Sequence, residues 1–555
     1  SIHPDTLRHK ERKCTDMGFF LDSRLPYEAY REMAEDRYFV DKSLIIRELM
    51  DFIGKKNRYL CIMRPRRFGK TVMASMIGAF FGRAADSSSL FGQLEIARVL
   101  KDTDAYHKHL NTHHVIYLDF SVFPRNCTSY GQYIDRFQNG INRDLAEAYP
   151  EFAIRTDGTT WDILTDIFEK TGDRFLFIID EWDAVFHMPF ITEKDRESFL
   201  LFLKLLLKDK MYAELVYMTG ILPIAKYSDG SELNMFTEYH MALSERFSGY
   251  FGFSEKETDS LYAIYRENTP NARITRNDLA AWYDGYYTAA GSRIYNPRSV
   301  ICALTDNQLR NYWTSSGTYD SVFAYIRHNI DGIQDDLAFL FAGEAVPAAI
   351  QEYAASAMQL ATRDEIYSAM VIYGLLTFQN GCVSIPNKEL MESYAAMMKK
   401  EKSLGYIYRL ANISRKMLSA TLEGDTKTMS EILNDAHNTE SPIFSYNNEI
   451  ELSAIVNLVY LAARDTYRVE REDKAGRGYA DFIFYPEQKN ADSLILELKA
   501  GGTPEQALQQ IKDKNYALRL KGKLGENQNV TGRILGVGIS YDKKSKEHSC
   551  IVEEL

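Results

Sequence analysis

Paired cysteines are missing from this chain. Its six cysteines (Cys14, Cys61, Cys127, Cys302, Cys382, Cys550) are scattered through 555 residues with no C-x-x-C spacing, so neither a zinc site nor a disulfide framework is indicated. Long apolar runs are missing too: the stretch Leu200–Leu207 is broken by Lys204 and falls short of a membrane span. The opening residues, with Arg8, Lys10, Arg12 and Lys13, are too charged for a secretory core. There is no low-complexity tract and no fixed-period repeat. These absences lead us to expect reduced thiols, a cytoplasmic location and no membrane partner. Positive charge is also short, 66 Lys and Arg against 77 Asp and Glu for a net −11, which argues against indiscriminate coating of nucleic acid. Any such contact must be local. Residues 501–550 reverse the balance with nine basic residues against five acids, as either a solvated surface or a phosphate-contacting one. The length allows about three or four domains of usual size.

Among what is present, residues 481–499 carry the densest chemistry. Asp481-Phe482-Ile483-Phe484 and Leu494-Ile495-Leu496-Glu497-Leu498-Lys499 predict two strands, with an acid heading the first and Glu-x-Lys on the second. Side chains alternate along a strand, so Glu497 and Lys499 share a face while Leu496 and Leu498 turn to a core. By itself that pattern also fits a solvated Glu/Lys pair. Asp481 and Glu497 meeting across adjacent strands would make a hard oxygen site for Mg²⁺ or Mn²⁺, and Lys499 could orient or help deprotonate an attacking water. Upstream, Tyr446-Asn447-Asn448-Glu449 opens an apolar-periodic helix carrying Glu449 in its first turn. Downstream, Thr503-Pro504 opens a capped helix that delivers Gln510, and then Tyr516, toward the same site.

A second signal lies near the other end. Arg58–Met63 reads as a buried strand, followed by Arg64-Pro65-Arg66-Arg67-Phe68-Gly69-Lys70-Thr71 and then a helix. This is a phosphate-binding loop whose first glycine is replaced by Arg64. Backbone amides and the helix N-terminus would cradle phosphates, Lys70 would reach the β/γ oxygens, and Thr71 would place its hydroxyl on Mg²⁺. The strand Phe175–Asp180 ends in adjacent acids, Asp180 to hold Mg²⁺ through water and Glu181 to polarise the attacking water. Strands at Val115–Asp119 and Glu214–Gly220 complete a parallel sheet, with Thr219 where a γ-phosphate sensor would sit; Asp119 is either a site residue or a cap.

Two resemblances follow. Gly478-Tyr479-Ala480-Asp481, Glu497-Leu498-Lys499 and Ala507–Ile511, in an α-β-β-β-α-β order, resemble the PD-(D/E)XK nuclease superfamily, with Ala480 in place of the eponymous proline. Tyr38–Ser43, Arg64–Thr71, Ile179–Asp183, Thr219-Gly220-Ile221, Phe251–Ser254, Trp282–Tyr286 and Tyr295-Asn296-Pro297 look like the bacterial AAA-ATPase-like family whose members carry a C-terminal PD-(D/E)XK domain. The likeness covers almost the whole chain in order. It implies an α/β fold: a P-loop NTPase with an AAA-like parallel sheet and helices on both faces, a helical lid and connector, and a restriction-endonuclease-like α/β domain. It also implies that Arg64 is the family's usual residue at that loop position.

The expected organisation is a lead-in at 1–45, an ATPase core at 46–245, a helical lid or winged helix at 246–320, a helical connector at 321–440 and a nuclease-like domain at 441–555. Arg246 and Arg298 are candidates for a lid arginine, or else surface residues. Two functions stay open. In one, ATP with Mg²⁺ (or Mn²⁺) regulates a nuclease acting on nucleic acid, DNA ahead of RNA. In the other, an NTP-dependent signalling or scaffold ATPase carries a nuclease fold that only binds nucleic acid. A homo-oligomer is compatible with either.

Overall fold

The computed structural model describes residues 19–122, 126–224, 233–313, 326, 332–350, 360, 362–437, 449–470, 481–517, 520 and 532–555. The motif residues Tyr446–Asn448 and Gly478–Ala480, and the basic residues Arg519, Lys521 and Lys523, lie outside them. The chain divides into two compact units, one built mainly from residues up to Tyr312 and one mainly from Trp313 onward, with Ser368–Gln379 returning to the first.

The first unit is organised by a five-stranded sheet in the order β2-β3-β4-β1-β5. The strands are β1 (Tyr59–Met63), β2 (His114–Asp119), β3 (Phe175–Asp180), β4 (Ala213–Gly220) and β5 (Thr237–His240), and every pairing is parallel. Parallel sheets are covered on both faces, so their strands read as continuous apolar runs. β1 and β3 are buried at every position. Since β1 pairs with β4 on one side and β5 on the other, the loop after it sits where strand order reverses, the position from which open α/β sheets bind ligands. The helix Lys70–Phe81 follows, and Leu25–Ala34 packs on it. Gly78 permits that approach, because a Cβ there would stand 2.8 Å from Pro26 Cβ. The lead-in is further tied down by buried Asp144, whose Oδ2 accepts from Phe20 N (2.6 Å) and Leu21 N (3.1 Å). Beyond the sheet, helices Glu255–Asn268, Arg276–Tyr283 and Pro297–Asp306 share a second core containing Leu261, Tyr265, Leu279 and Val300. A hairpin of β6 (Tyr286–Tyr287) and β7 (Arg293–Ile294) accompanies them. β9 (Thr377–Gln379) belongs to this unit through Thr377 Oγ1, which accepts from Tyr287 N at 2.8 Å.

In the second unit, β8 (Val346–Pro347) pairs antiparallel with β10 (Cys382–Ser384). Its main sheet runs in the order β11-β12-β13-β14-β15: β11 (Tyr467–Glu470), β12 (Phe482–Pro486), β13 (Ser493–Ala500), β14 (Ile534–Asp542) and β15 (Glu547–Glu554). Only β13 and β14 pair in parallel, and the crossover between them is the helix Pro504–Asp513. Helices from the 321–440 stretch pack into this same unit. Thr426–His437 lies on β15 and Tyr406–Glu423 lies on the helix Glu449–Val459. The buried stripe Met429, Ile432, Leu433, Ala436 gives Thr426–His437 one apolar face, and β15 covers it.

Candidate nucleotide and metal sites

In the first unit the loop from Arg64 to Gly69 connects β1 to the helix Lys70–Phe81. Gly69 is the helix N-cap at φ +86° and Arg67 stands at φ +70°, two left-handed residues that turn the chain tightly. Lys70 is buried; its Nζ donates to the Pro65 carbonyl at 3.2 Å and lies 3.5 Å from Glu181 Oε1. β3 delivers Asp180 at its end, and Glu181 follows at φ +48°, which lifts its carboxylate out of strand alternation toward Lys70. Asp180 Oδ1 accepts from Glu181 N at 3.0 Å, while Oδ2 is buried with no hydrogen-bond partner among the described residues. Burial, then the neighbouring Glu181 charge, pushes the Asp180 carboxyl up to about 7, and the Thr71 hydroxyl draws it back. A buried carboxylate oxygen beside a helix-start hydroxyl fits a hard divalent cation held by Asp180 and Thr71.

Three loop side chains point to duties inside the protein. The Arg64 guanidinium is buried and donates to the carbonyls of Met63 (2.7 Å), Tyr239 (2.8 Å) and Phe247 (3.2 Å), with its carbon 4.6 Å from the Phe251 ring centre. What stands in for the loop's first glycine is thus a strut from β1 to β5 and the Phe247–Phe251 segment, and only its backbone is left to the loop. Arg67 donates to the Tyr312 carbonyl. Phe68 is buried edge-on to Tyr286, at 5.0 Å between ring centres. Pro65 packs against Gly374, and Arg66 is half-buried with its charge acting on His187.

The buried Thr219 hydroxyl donates to the Ile62 carbonyl at 3.0 Å, and the Asp119 carboxylate accepts from Ser121 N and Oγ at 2.8 and 2.6 Å as a turn cap. Arg246 pairs with Glu48 at 3.5 Å and lies over the Phe52 ring, and Arg298 is exposed. One residue that motif reasoning passed over is Asp183. It is buried, and its Oδ2 accepts from Ile221 N (3.1 Å) and Leu222 N (2.8 Å), anchoring the turn after β4 to the acidic segment after β3. The repeated acid in Asp180-Glu181-Trp182-Asp183 was its only sequence signal.

In the second unit, Asp481 precedes β12 and Glu497 and Lys499 lie on β13. Antiparallel pairing of Phe482 with Leu496 sets Asp481 opposite Glu497. Asp481 Oδ2 accepts from Leu498 N at 2.8 Å, which fixes its carboxylate on the β13 side. Lys499 Nζ donates to Gln510 Oε1 at 2.7 Å, the Gln510 amide donates to Glu497 Oε1, and Lys499 Nζ lies 3.9 Å from Glu497 Oε1. Glu497 is 3 % exposed and its Oε2 has no hydrogen-bond partner among the described residues. Burial, then the facing Asp481, raises Glu497 to about 8, against the pull of Lys499 and Lys514; Glu449 adds to the rise. Glu449, first residue of its helix, therefore acts on the site through its charge.

Gln510 is brought over the sheet by the helix Pro504–Asp513, which has Thr503 as N-cap in a capping box with Gln506. The helix can sit there because position 538 has no side chain: a Cβ on Gly538 would overlap the Pro504 carbonyl. Tyr516 joins the buried cluster with Ile483, Ile495 and Ile511. Among the described residues no three His, Cys, Asp or Glu side chains form a metal cage. The donor set is two carboxylates with one orphaned oxygen, which fits a hard cation that keeps water and phosphate among its ligands. Of the basic residues, Lys512 pairs with Glu553 and Arg533 with Asp492, both at 2.7 Å. No helix among the described residues is long and apolar enough to cross a membrane.

Two segments of the chain match known families. Residues 26–228 match the family model described as predicted AAA-ATPase, and residues 451–548 match that of the PD-(D/E)XK nuclease superfamily. An uncharacterised protein from the vnfD 5′ region of Azotobacter chroococcum mcd 1 is 22% identical, over 92% of this chain and 94% of its own length. Among solved structures, a Walker-type ATPase of Pyrococcus abyssi overlays with TM-score 0.34 at 10% identity, covering 64% of this chain and 94% of that one. The Aeropyrum pernix ORC2 protein, in ADPNP-ADP complexes, overlays with TM-score 0.23 at 12% identity, covering 67% and 92%. Both scores are low, and the fold assignment rests on the strand orders above.

Proposed function

From a chain that carries an AAA-like ATPase domain and a PD-(D/E)XK nuclease superfamily domain, we propose that the protein binds and hydrolyses ATP at the loop Arg64–Thr71 and cleaves nucleic-acid phosphodiester bonds at Asp481, Glu497 and Lys499. One observation carries the nuclease half: a buried, unpartnered carboxylate oxygen on Glu497, opposite Asp481 and beside an ammonium that Gln510 holds in place. A fold kept only for binding has no use for a buried acid facing a second, half-buried acid beside a lysine, since burying a charge without compensation costs several kcal/mol.

At the ATPase site Lys70 would carry the point charge for the β/γ phosphates, Thr71 and Asp180 would hold Mg²⁺, and Glu181 would take the water's proton. At the second site Asp481 and Glu497 would hold Mg²⁺ or Mn²⁺, which supplies Lewis-acid stabilisation of the phosphate. Lys499 would position the attacking water, with Gln510 fixing the direction of its ammonium. DNA is the favoured substrate and the cytoplasm the favoured location.

The test is cleavage of plasmid, single-stranded and RNA substrates by the full chain with Mg²⁺ or Mn²⁺. Asp481→Ala, Glu497→Ala and Lys499→Ala should each abolish it while the protein stays folded. A folded wild type that cuts none of them in either metal would leave the binding-module reading in its place.

A further inference from the structure

We propose that Arg66 is a catalytic residue of the ATPase site, meeting the γ-phosphate of a nucleotide bound on its own chain; this rests on the nucleotide reading above. A phosphate loop gains from an arginine beside the transferred phosphoryl group, given by the same chain or by another. The arginines around this loop divide by what already holds them. Arg64 gives its donors to three backbone carbonyls, and Arg67 donates to the Tyr312 carbonyl. Arg196 donates to the Phe186 carbonyl at 3.4 Å and lies 6.0 Å from the centre of that ring. Arg246 pairs with Glu48, and Arg298 is exposed. Arg66 is half-buried and makes no side-chain hydrogen bond or ion pair among the described residues. Its guanidinium alone in this group is left for a ligand.

Backbone geometry sets where that guanidinium starts. Lys70 Nζ lies 3.2 Å from the Pro65 carbonyl oxygen, one peptide unit before Arg66, so the Arg66 α-carbon stands within about 6 Å of the ammonium. Glu181 Oε1 is 3.5 Å from the same ammonium. The charges of Arg66 and Glu181 both reach the His187 imidazole, so the two side chains border one space. With the β- and γ-phosphates on Lys70 and the attacking water on Glu181, the γ-phosphoryl group lies in that space. The bond from the water oxygen to the γ-phosphorus forms as the bond to the β–γ bridging oxygen breaks; Glu181 takes the water's proton, and ADP and inorganic phosphate leave. Charge on the γ-oxygens is what must be held meanwhile. The guanidinium keeps its proton throughout and offers paired N–H donors to those oxygens, which a lone ammonium meets only at one point.

The experiment uses the full chain with Mg²⁺ and measures phosphate release from ATP and, by calorimetry, the affinity for ADP with and without fluoroaluminate, a mimic of the phosphoryl group in transfer. Arg66→Ala should lower kcat by about 10³–10⁵-fold. Its affinity for ADP should stay within about fivefold of wild type, since an interaction made only in the transition state leaves the ground state alone. Wild type should bind ADP more tightly once fluoroaluminate is added, and Arg66→Ala should lose that gain. Arg66→Lys should recover less than about a tenth of wild-type turnover, because an ammonium lacks the fork, and Arg298→Ala should leave turnover unchanged. Mixing Lys70→Ala, which keeps the arginine but cannot hold nucleotide, with Arg66→Ala should restore nothing; restored turnover would place the arginine on a neighbouring copy and overturn the proposal. Full turnover in Arg66→Ala would also overturn it, as would loss of ADP binding to the level of Lys70→Ala, which would make Arg66 a holder of phosphate only. Thermal unfolding checks the fold of each variant, with Arg66→Gln in reserve for an alanine that unfolds. If wild type neither binds ATP nor releases phosphate, the nucleotide reading itself falls and takes this role with it.

Discussion

Lys499 and Glu497 stand on one face of β13 and are bridged by a single side chain, with Gln510 accepting from the ammonium at 2.7 Å and donating to the carboxylate. A cation at one end of the amide and a carboxylate at the other permit only one flip of Gln510, so its orientation is set by charge. Gln510→Ala should lower metal-dependent cleavage by about 10–100-fold, the usual cost of losing a residue that orients a ligand. Gln510→Glu should do worse, since it sets a second negative charge against Glu497. Cleavage rates alongside circular dichroism of the folded variants check both.

Gly538 governs how that bridge is reached. Gly538→Ala puts a methyl against the Pro504 carbonyl, a backbone atom that cannot rotate away, and must displace the helix carrying Gln510. The expected cost is about 1–3 kcal/mol of stability, as for other overpacked sites, together with loss of cleavage. Denaturant unfolding that matches wild type, with full activity, would remove Gly538 from this role.

How much of this was legible beforehand depends on the range of the interaction. Glu497 and Lys499 on one face follow from strand alternation, and Asp481 opposite Glu497 needed only the correct pairing of two neighbouring strands. The capped helix was legible because Thr503-Pro504 is a local signal. Arg64 was not. Its partners Tyr239 and Phe247 lie about 180 residues away in sequence, and no local pattern says that an arginine in a phosphate loop will point into the core. Asp183 and Gly538 were hidden for the same reason, since each is defined by a contact that only the folded sheet creates. The stretch 321–440 was legible as helical, but the buried stripe of Thr426–His437 does not by itself name the surface that covers it.

Glu497 also predicts a pH dependence in metal-free buffer. Its carboxyl rises from the ordinary 4.5 to about 8 on folding, so the folded state holds the proton more tightly than the unfolded chain does. The stabilising contribution is fully present below pH 4.5 and fades as pH rises through about 8. Glu497→Gln, which cannot ionise, should flatten that loss. Chemical denaturation of both proteins across this range, with a chelator present, measures it; parallel curves would show that Glu497 ionises as freely in the fold as in the unfolded chain.

At the other site, Lys70 and Glu181 separate binding from turnover. Lys70→Ala removes the charge that meets the β/γ phosphates and should abolish ATP binding. Glu181→Gln keeps the side-chain shape beside Lys70, at 3.5 Å in the wild type, and should bind ATP yet lose hydrolysis by about 10²–10⁴-fold, the usual worth of a general base. Equal ATP affinity for wild type and Lys70→Ala in calorimetry would sink the phosphate-loop assignment.

The two activities should also be coupled. A nuclease left permanently competent would cut its host's own nucleic acid, which gives an attached ATPase a reason to bias it between two states. Such bias requires ATP to bind the states with different affinity, because a ligand with equal affinity for both shifts nothing. Coupling energies of about 1–3 kcal/mol are usual and correspond to roughly 5–150-fold. Cleavage should therefore differ by at least about fivefold between no nucleotide, ATP and ADP. Lys70→Ala should hold the rate at its nucleotide-free level whichever nucleotide is added, while Asp481 and Glu497 remain intact. Glu181→Gln should hold it at the ATP level, since it binds without turning over. Rates that are identical in every nucleotide state, on every substrate the protein cuts, would mean that the two domains are tethered without communicating, and that ATP serves assembly or movement along the substrate.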